Sequence, residues 1–556
     1  MSKKVQRCIS IILAIILAAL GTAGCSSKQK NKVEQQDPSS ETTVVSKAKE
    51  VDIYGYDEPI DLTCMMDTSS ISVSDASYTL EDNPFIELYK EHGMNVTYKL
   101  VGKLEDISMK LDMAISTGDL PDIMWVTPSQ FQELSEAGML ADLTAAYETY
   151  TSDRLKEWLY YDDGLMMNNV TVDGKLLGVV RSAEFSNKFG CVSIRKDWLE
   201  ECGLEEPKTM DDLWNIGKTF KEKKMGGTCN IAIAVNNEIT TVSRPMVNLL
   251  NAYHAYVNIW IEKDGELVNS TIQPEMKEAL AALSKKYQEG LIDPEFGTKT
   301  RDNNIEDALV GKVGVLIDDI YTPFGIVNGV KNNGQEWGYY SIPSADEELV
   351  KNQQSTSFKG CIAISAKCKH PEAIFKLLNL WALNGVDNFD KYNSNGVNGY
   401  AWPMNFTKPL GNVTVHNRYM EALENNPDDP LAYLEEIGVD GQIMGSVESA
   451  ELWRKDGDPE GYVMWSVFGQ DSTETVVTKA LENNAAMVNV YSGSPTETMN
   501  KYNVALNALI EQMITNIVKG DKSIDYFDEF VSDWKKNGGD AITAEVNEWY
   551  RQKNAN

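Results

Sequence analysis

Histidine is scarce. The 556 residues contain four, at His92, His254, His370 and His416. None lies in an HExxH pattern, which excludes the zinc-protease arrangement of two ligands and a base on one helix face. No GxSxG occurs, so the nucleophile elbow of the α/β-hydrolases is missing as well. The eight cysteines contain no CxxC pair and give no support to a zinc ribbon or a thioredoxin-like motif. Positive charge is short: 51 Lys and Arg face 83 Asp and Glu, a net charge of −32. That deficit argues against nucleic acid and anionic lipid as direct partners. The apolar run at residues 11–20 is too short for a comfortable membrane span. No internal repeat is present.

Two apparent motifs also fall short. Gly217-Lys218-Thr219 looks like a P-loop, but Asp212 stands where the first glycine is required. Asp456-Gly457-Asp458-Pro459-Glu460-Gly461 opens like an EF-hand loop. Its fourth position is Pro459 and its twelfth is Val467, without the bidentate Glu, so no calcium is expected there. No metal site, cofactor or catalytic residue is expected anywhere. Paired carboxylates are too common in so acidic a chain to argue for a glycosidase.

What is present begins at the front. Lys3, Lys4 and Arg7 precede the apolar run, and Gly21-Thr22-Ala23-Gly24-Cys25 follows it. Small residues ahead of a cysteine read as a signal-peptidase site. This one resembles the bacterial lipobox, with Thr22 in place of the usual Leu. Residues 1–24 are therefore expected to be a signal peptide and Cys25 the lipidated first residue. Two acyl chains there would suffice for stable membrane anchoring. Residues 25–50 are rich in Ser, Lys, Gln and Glu, cannot bury a core, and are expected to form a tether. Of the cysteines beyond it, most are expected to be small buried hydrophobes; a Cys361–Cys368 disulfide is possible, but nothing in the spacing supports it.

The body opens with alternating strands and helices. Residues 59–66 read as a strand, Asp82-Asn83-Pro84 starts a helix that Gly93 ends, and residues 96–100 form a second strand. A helix from Leu104 is stopped by Gly118 and Pro121, and the apolar strand 122–126 follows. This order predicts a parallel sheet. Trp125 stands at the carboxyl end of the last strand, where open α/β sheets bind ligands. Asp67 and Thr68 leave the first strand at the same edge. They suit ligand contact or turn formation equally. Val172-Asp173-Gly174-Lys175 is a hairpin turn, and the strand after it exits at Arg181 and Glu184, which are cleft contacts or an ion pair.

Further along, Thr209 and Asp212 outline a capping box, 231–235 reads as a strand, Asp264-Gly265 is a hairpin turn, and 274–290 is a helix. The strand 313–317 exits at Asp318 and Asp319, whose carboxylates would accept hydroxyl protons strongly. Residues 358–364 form another strand. The loop Tyr400-Ala401-Trp402-Pro403 adds two aromatics, with Trp402 a ligand candidate. Residues 462–468 read as a strand, with Trp465 in a core or a cleft, and a long helix runs to Gly520 before two closing helices.

Ala114-Ile115-Ser116-Thr117-Gly118-Asp119-Leu120-Pro121-Asp122 resembles the Ala-x-Ser-Gly-Asp-x-Pro-Asp signature of maltose-binding-protein-like extracellular solute-binding proteins. Arg195-Lys196-Asp197-Trp198-Leu199, Tyr287-Gln288-Glu289-Gly290-Leu291 and Pro371-Glu372-Ala373 match that family too. The resemblance implies a periplasmic-binding-protein-like α/β fold (type II): two α/β lobes joined by a hinge, with a ligand cleft between. It places residues 51–190 with about 343–410 in the first lobe, and 191–342 with about 411–556 in the second. It implies that Tyr321 caps the ligand from the second lobe. Trp125, Tyr321 and Trp402 would stack on the solute while Asp67, Asp318 and Asp319 bond its hydroxyls. Within that family the chain resembles the long lipoprotein receptors for oligosaccharides of Gram-positive bacteria, which implies a monomer on the outer face of the membrane. It would hold an oligosaccharide and deliver it to the permease subunits of an ABC transporter. A surface-anchored carbohydrate hydrolase, a peptide or other solute receptor, and a purely adhesive lipoprotein are the alternatives.

Overall fold

The computed structural model describes residues 51–71, 78–162, 164, 166–180, 189–354, 358–392, 394–406, 408–493 and 495–555. The expected signal peptide, Cys25 and the tether lie outside the described residues, as do Arg181 and Glu184.

The strands of the two main sheets are β1 (Ile60–Asp67), β2 (Met94–Gly102), β3 (Ile123–Val126), β4 (Gly178–Val179), β5 (Gly190–Arg195), β6 (Val315–Asp319), β7 (Trp337–Tyr340) and β8 (Cys361–Ile364). The helices that matter below are α1 (Pro84–Glu91), α2 (Leu104–Thr117), α3 (Pro128–Glu136), α4 (Met210–Lys223), α5 (Thr322–Asn333), α6 (Gly411–Asn425), α7 (Gly441–Asp456), α8 (Tyr462–Phe468) and α9 (Thr473–Glu482).

The first sheet has the order β2-β1-β3-β8-β4. β1 runs parallel to β2 and β3, as the alternating pattern predicts, and β8 joins β3 antiparallel with Ile362 opposite Trp125. Helices cover both faces, so Leu62, Cys64, Met65 and Met66 of β1 are all buried. The same core draws on residues of the later segment, including Phe375, Trp381, Trp402 and Phe406. The expected start at Asn83 and stop at Gly118 are present, and a third signal joins them. Asn83 caps α1, Gly118 ends α2 in the left-handed region at φ 69°, and Thr127 with Gln130 forms a capping box at α3.

The second sheet is antiparallel, β6-β5-β7. Its residues alternate between two cores. Val192, Ile194, Val315 and Ile317 pack with Trp198, Leu213 and the helices Pro274–Gln288 and Glu497–Lys519. Cys191, Leu316, Trp337 and Tyr339 pack on the other face with Val413, Tyr462 and Val476. A smaller cluster around Tyr419, Leu434 and Val447 joins α6, α7 and α8. The Thr209–Asp212 capping box opens α4, and the Asp264-Gly265 hairpin joins strands Trp260–Lys263 and Glu266–Asn269.

Two expected strands take other forms. Residues 231–235 make only isolated bridges, because Ile231 and Ala234 pair with Val313 and Leu316 while Ile233 turns to Ile292. Divided between two partners, the segment never builds a ladder. Residues 462–468 are helix α8. A short run that is apolar at nearly every position has no period to separate helix from strand, and packing decides it. Gly461 lets α8 start hard against α7: a Cβ there would sit 2.4 Å from the Ser449 carbonyl oxygen. Cys64, Cys191, Cys202, Cys229, Cys361 and Cys368 are all free thiols, so Cys361 and Cys368 are not bridged.

Candidate functional site

The parallel register of the first sheet sets Cys64 opposite Ile123. Three residues on, Asp67 and Val126 leave the sheet at the same level. Asp67 is 5% exposed, and its Oδ1 accepts from the Ser69 backbone N–H at 2.9 Å and from Ser69 Oγ at 2.6 Å. It therefore shapes the turn that carries half-buried Thr68. Trp125 is half-buried at the end of β3. Its indole lies over Gly360, where a Cβ would come within 3.0 Å of the ring and 2.3 Å of the Val126 carbonyl oxygen.

β6 ends in a charged cluster. Arg244 Nη1 donates to Asp318 Oδ1 at 2.5 Å and Asp319 Oδ2 at 2.7 Å. Arg301 donates from Nε to Asp318 Oδ2 at 2.9 Å and from Nη2 to Asp319 Oδ1 at 3.4 Å. Arg244 Nε also faces Glu238 at 3.2 Å. All four carboxylate oxygens of the Asp pair thus meet an arginine. Burial, then the Asp319 charge, raise the Asp318 pKa against the pull of both arginines. Burial opposes charge on Arg244, yet Asp318, Asp319 and Glu238 hold it above its ordinary value.

The cluster positions an aromatic. Asp319 Oδ1 accepts from the Tyr321 backbone N–H at 3.0 Å, just ahead of α5. Tyr321 is half-buried, its hydroxyl accepts from Asn412 Nδ2 at 3.4 Å, and its ring tilts against Phe324, which is 50% exposed. Tyr321 with Phe324 therefore forms an aromatic rim at the exit of β6, as Trp125 does at the exit of β3.

Of the residues singled out in the sequence, the structure gathers Asp318, Asp319 and Tyr321 at one strand exit, and Asp67, Thr68 and Trp125 at the end of the other sheet. Trp402 is buried instead. It is 4% exposed within the first-lobe core. Arg244, Arg301, Phe324 and Gly360 escaped sequence reading. The arginines had left a signal: each opens a helix, at the cap of Pro245–Ala252 and the first residue of Arg301–Leu309. A cation at a helix N-terminus is disfavoured by the dipole and calls for nearby acid.

Among the described residues, no group of three or more His, Cys, Asp or Glu is placed to hold a metal ion, and no helix is long and apolar enough to cross a membrane.

Two α/β lobes with polar and aromatic groups at their strand exits define a two-lobed solute-binding fold. The sequence profile of the family described as "Bacterial extracellular solute-binding protein" matches residues 85–405, more than half of the chain, and the chain belongs to that family. Among curated relatives, the polygalacturonan/rhamnogalacturonan-binding protein YtcQ of Bacillus subtilis (strain 168) is 22% identical over 451 residues, covering 80% of this chain and 83% of its own. Lipoprotein LipO of the same organism is 22% identical over 489 residues, covering 86% and 90%. Among solved structures, the HMO-binding, ABC-transporter-associated solute-binding protein from Bifidobacterium longum infantis ATCC 15697 superposes with a TM-score of 0.58 at 16% identity, over 89% of this chain and 99% of that one. Alginate-binding protein AlgQ2, solved without calcium ion, gives 0.56 at 15% identity, over 90% and 99%. These likenesses place the fold in the type II binding-protein class.

Proposed function

We propose that this protein is the surface-anchored receptor of an ABC importer and that it captures an oligosaccharide between its lobes. The observation that carries the reading is the pair of aromatic rims, Trp125 on Gly360 and Tyr321 beside Phe324, at the exits of β3 and β6. Ring faces stack on the apolar faces of sugars, while hydroxyl, amide and carboxylate groups around them orient the sugar edges. Asp67, Thr68 and Asn412 supply such groups. Asp318 and Asp319 act through Arg244, Arg301 and Tyr321, holding the second rim in place. Arg181 and Glu184 remain candidate contacts from the sequence. Trp402 would act from beneath, as part of the first-lobe core.

Support for a sugar ligand comes from the relatives named for polygalacturonan, rhamnogalacturonan, alginate and HMO. Lipidation of Cys25 would hold a monomeric receptor at the outer face of the membrane, and the tether would let it reach the permease. LipO, itself named a lipoprotein, fits that arrangement. Capture and release need no bond to be broken, so the protein has no catalytic role here.

The test is a thermal-shift screen of residues 26–556 against neutral and acidic oligosaccharides, followed by chromatography of the same samples. A ligand-dependent rise in Tm with the glycan recovered intact is expected. Shortened glycan would instead make the protein a hydrolase, and a rise with peptides alone would move the ligand class.

A further inference from the structure

In the second sheet, β7 is the edge opposite β6. Beside it lies a cavity of about 670 Å³. Its floor is Trp337 and Tyr339, 7% and 8% exposed. Its walls are the half-buried rings of Trp453 from α7, Trp465 from α8 and Tyr340 from β7 itself. Two further hollows, of about 610 and 350 Å³, are also lined by Tyr340. Together they make a groove that runs past the end of β7.

The rings of this groove are held before any ligand arrives. Gly338 leaves room for Tyr340 to lie back along the strand, since a Cβ there would stand 2.4 Å from the Tyr340 hydroxyl oxygen. Burial, then the charge of Glu206 and a hydrogen bond to it, push the Tyr340 pKa up, so the hydroxyl stays a proton donor. Beneath it the Tyr339 and Tyr462 hydroxyls share a hydrogen bond of 2.7 Å that ties α8 to β7. Trp453 stands edge-on to Tyr462 at 5.1 Å, and Trp465 edge-on to Tyr419 at 6.2 Å. Rings fixed in this way lose little freedom when a ligand stacks on them.

The rim discriminates by charge. Lys196 and Lys479 face Glu206, Glu336 and Asp471, all five exposed. The two adjoining hollows add Lys208 against Glu200, Glu205, Asp346, Glu347 and Glu348, so the groove is acidic and repels an anionic glycan while leaving a neutral one unopposed. A peptide strand adding to the edge of β7 would meet α9, which packs against that strand. Apolar ring faces set among polar groups of mainly negative charge suit a neutral sugar chain over an acidic one, and 670 Å³ falls within the size range of small-ligand pockets.

We propose that this groove is a second carbohydrate site, which takes two or three residues of a neutral linear oligosaccharide and works apart from the rims at β3 and β6. It goes beyond the proposed cleft reading. A glycan held there keeps a high local concentration at the cleft.

The test labels the intact chain with 5-fluorotryptophan and assigns the Trp453 and Trp465 signals by Trp→Phe substitution. The probes are maltotriose, cellotriose, mannotriose and β-1,4-galactotriose, with trigalacturonate as the charged comparison. Each is titrated into wild type and into the Trp125→Ala/Tyr321→Ala variant. At least one neutral trisaccharide is expected to move both signals at millimolar concentration in both proteins, with Trp465→Ala weakening it roughly tenfold. Three outcomes overturn the proposal: neither signal moves with any neutral trisaccharide; the shifts vanish in the Trp125/Tyr321 variant; or trigalacturonate alone produces them. Because the shifts are read first on unmutated groove residues, the result does not depend on Trp465→Ala folding.

Discussion

Gly360 shows how one missing side chain can shape a rim. Its φ is +139°, and a Cβ would press on the Val126 carbonyl and the Trp125 ring at once. Gly360→Ala is therefore expected to cost about 1–3 kcal/mol of stability and to push Trp125 off its seat, so ligand affinity falls with it. A melt and a titration on the same sample check both; an unchanged Tm with unchanged affinity would contradict the packing. His416 makes a different residue-scale case. It is 4% exposed, and its Nδ1–H donates to the Phe468 carbonyl at 2.9 Å. Burial lowers its pKa below the ordinary 6.5. The unfolded chain then binds the proton more readily than the folded one. Stability from this residue is thus complete above about pH 6.5 and declines as pH falls through that value. Guanidinium melts at pH 7.5 and 5.5 are expected to show a smaller loss for His416→Gln than for wild type. Neither effect was legible in the sequence. Gly360 is one glycine among 39, and His416 reads as any helix residue until its burial is known.

Elements with their own stop and start signals were legible, and those defined by partners were not. Asn83 illustrates the first kind. It is 1% exposed; its Oδ1 accepts from the Phe85 and Ile86 N–H groups at 3.1 Å each, while Nδ2 donates to the Thr79 and Leu80 carbonyls. Asn83→Ala leaves the buried Phe85 and Ile86 N–H groups without their cap and releases the Thr79 and Leu80 carbonyls nearer the surface. A loss of about 2 kcal/mol is expected by urea denaturation, with Asn83→Asp losing less because it keeps the acceptor. Gly118 and Thr209 carry similar local information, which is why the end of α2 and the start of α4 could be placed from residues alone. Residues 231–235 and 462–468 lack it. The first is divided among Val313, Ile292 and Leu316, and the second is helical because α7 and β7 receive it that way. The candidate site follows the same division. Trp125 and Tyr321 stand at strand exits that periodicity could find. The arginine clamp on Asp318 and Asp319 joins residues 17 to 75 positions apart and could only be suspected from the helix starts at Arg244 and Arg301.

At the scale of the whole molecule, the two rims belong to separate hydrophobic cores, Trp125 to the first and Tyr321 to the second. A ligand that touched only one rim would stabilise one lobe and leave the hinge free. A ligand that bridges them must restrict the hinge as well, because its affinity depends on both rings meeting it together. The two cases differ in the coupling between single substitutions. With one-rim binding, Tyr321→Ala leaves affinity unchanged while Trp125→Ala abolishes it, or the reverse. With bridging, each single variant weakens the glycan, and the double variant loses less than the two losses combined, since the second ring has little left to clamp once the first is gone. We expect the second pattern in calorimetric titrations with whichever oligosaccharide raises Tm. The radius of gyration in solution scattering should also fall on saturation in wild type and stay constant in the double variant. Additive losses with no contraction would mean that both rims touch the glycan without the lobes closing on it.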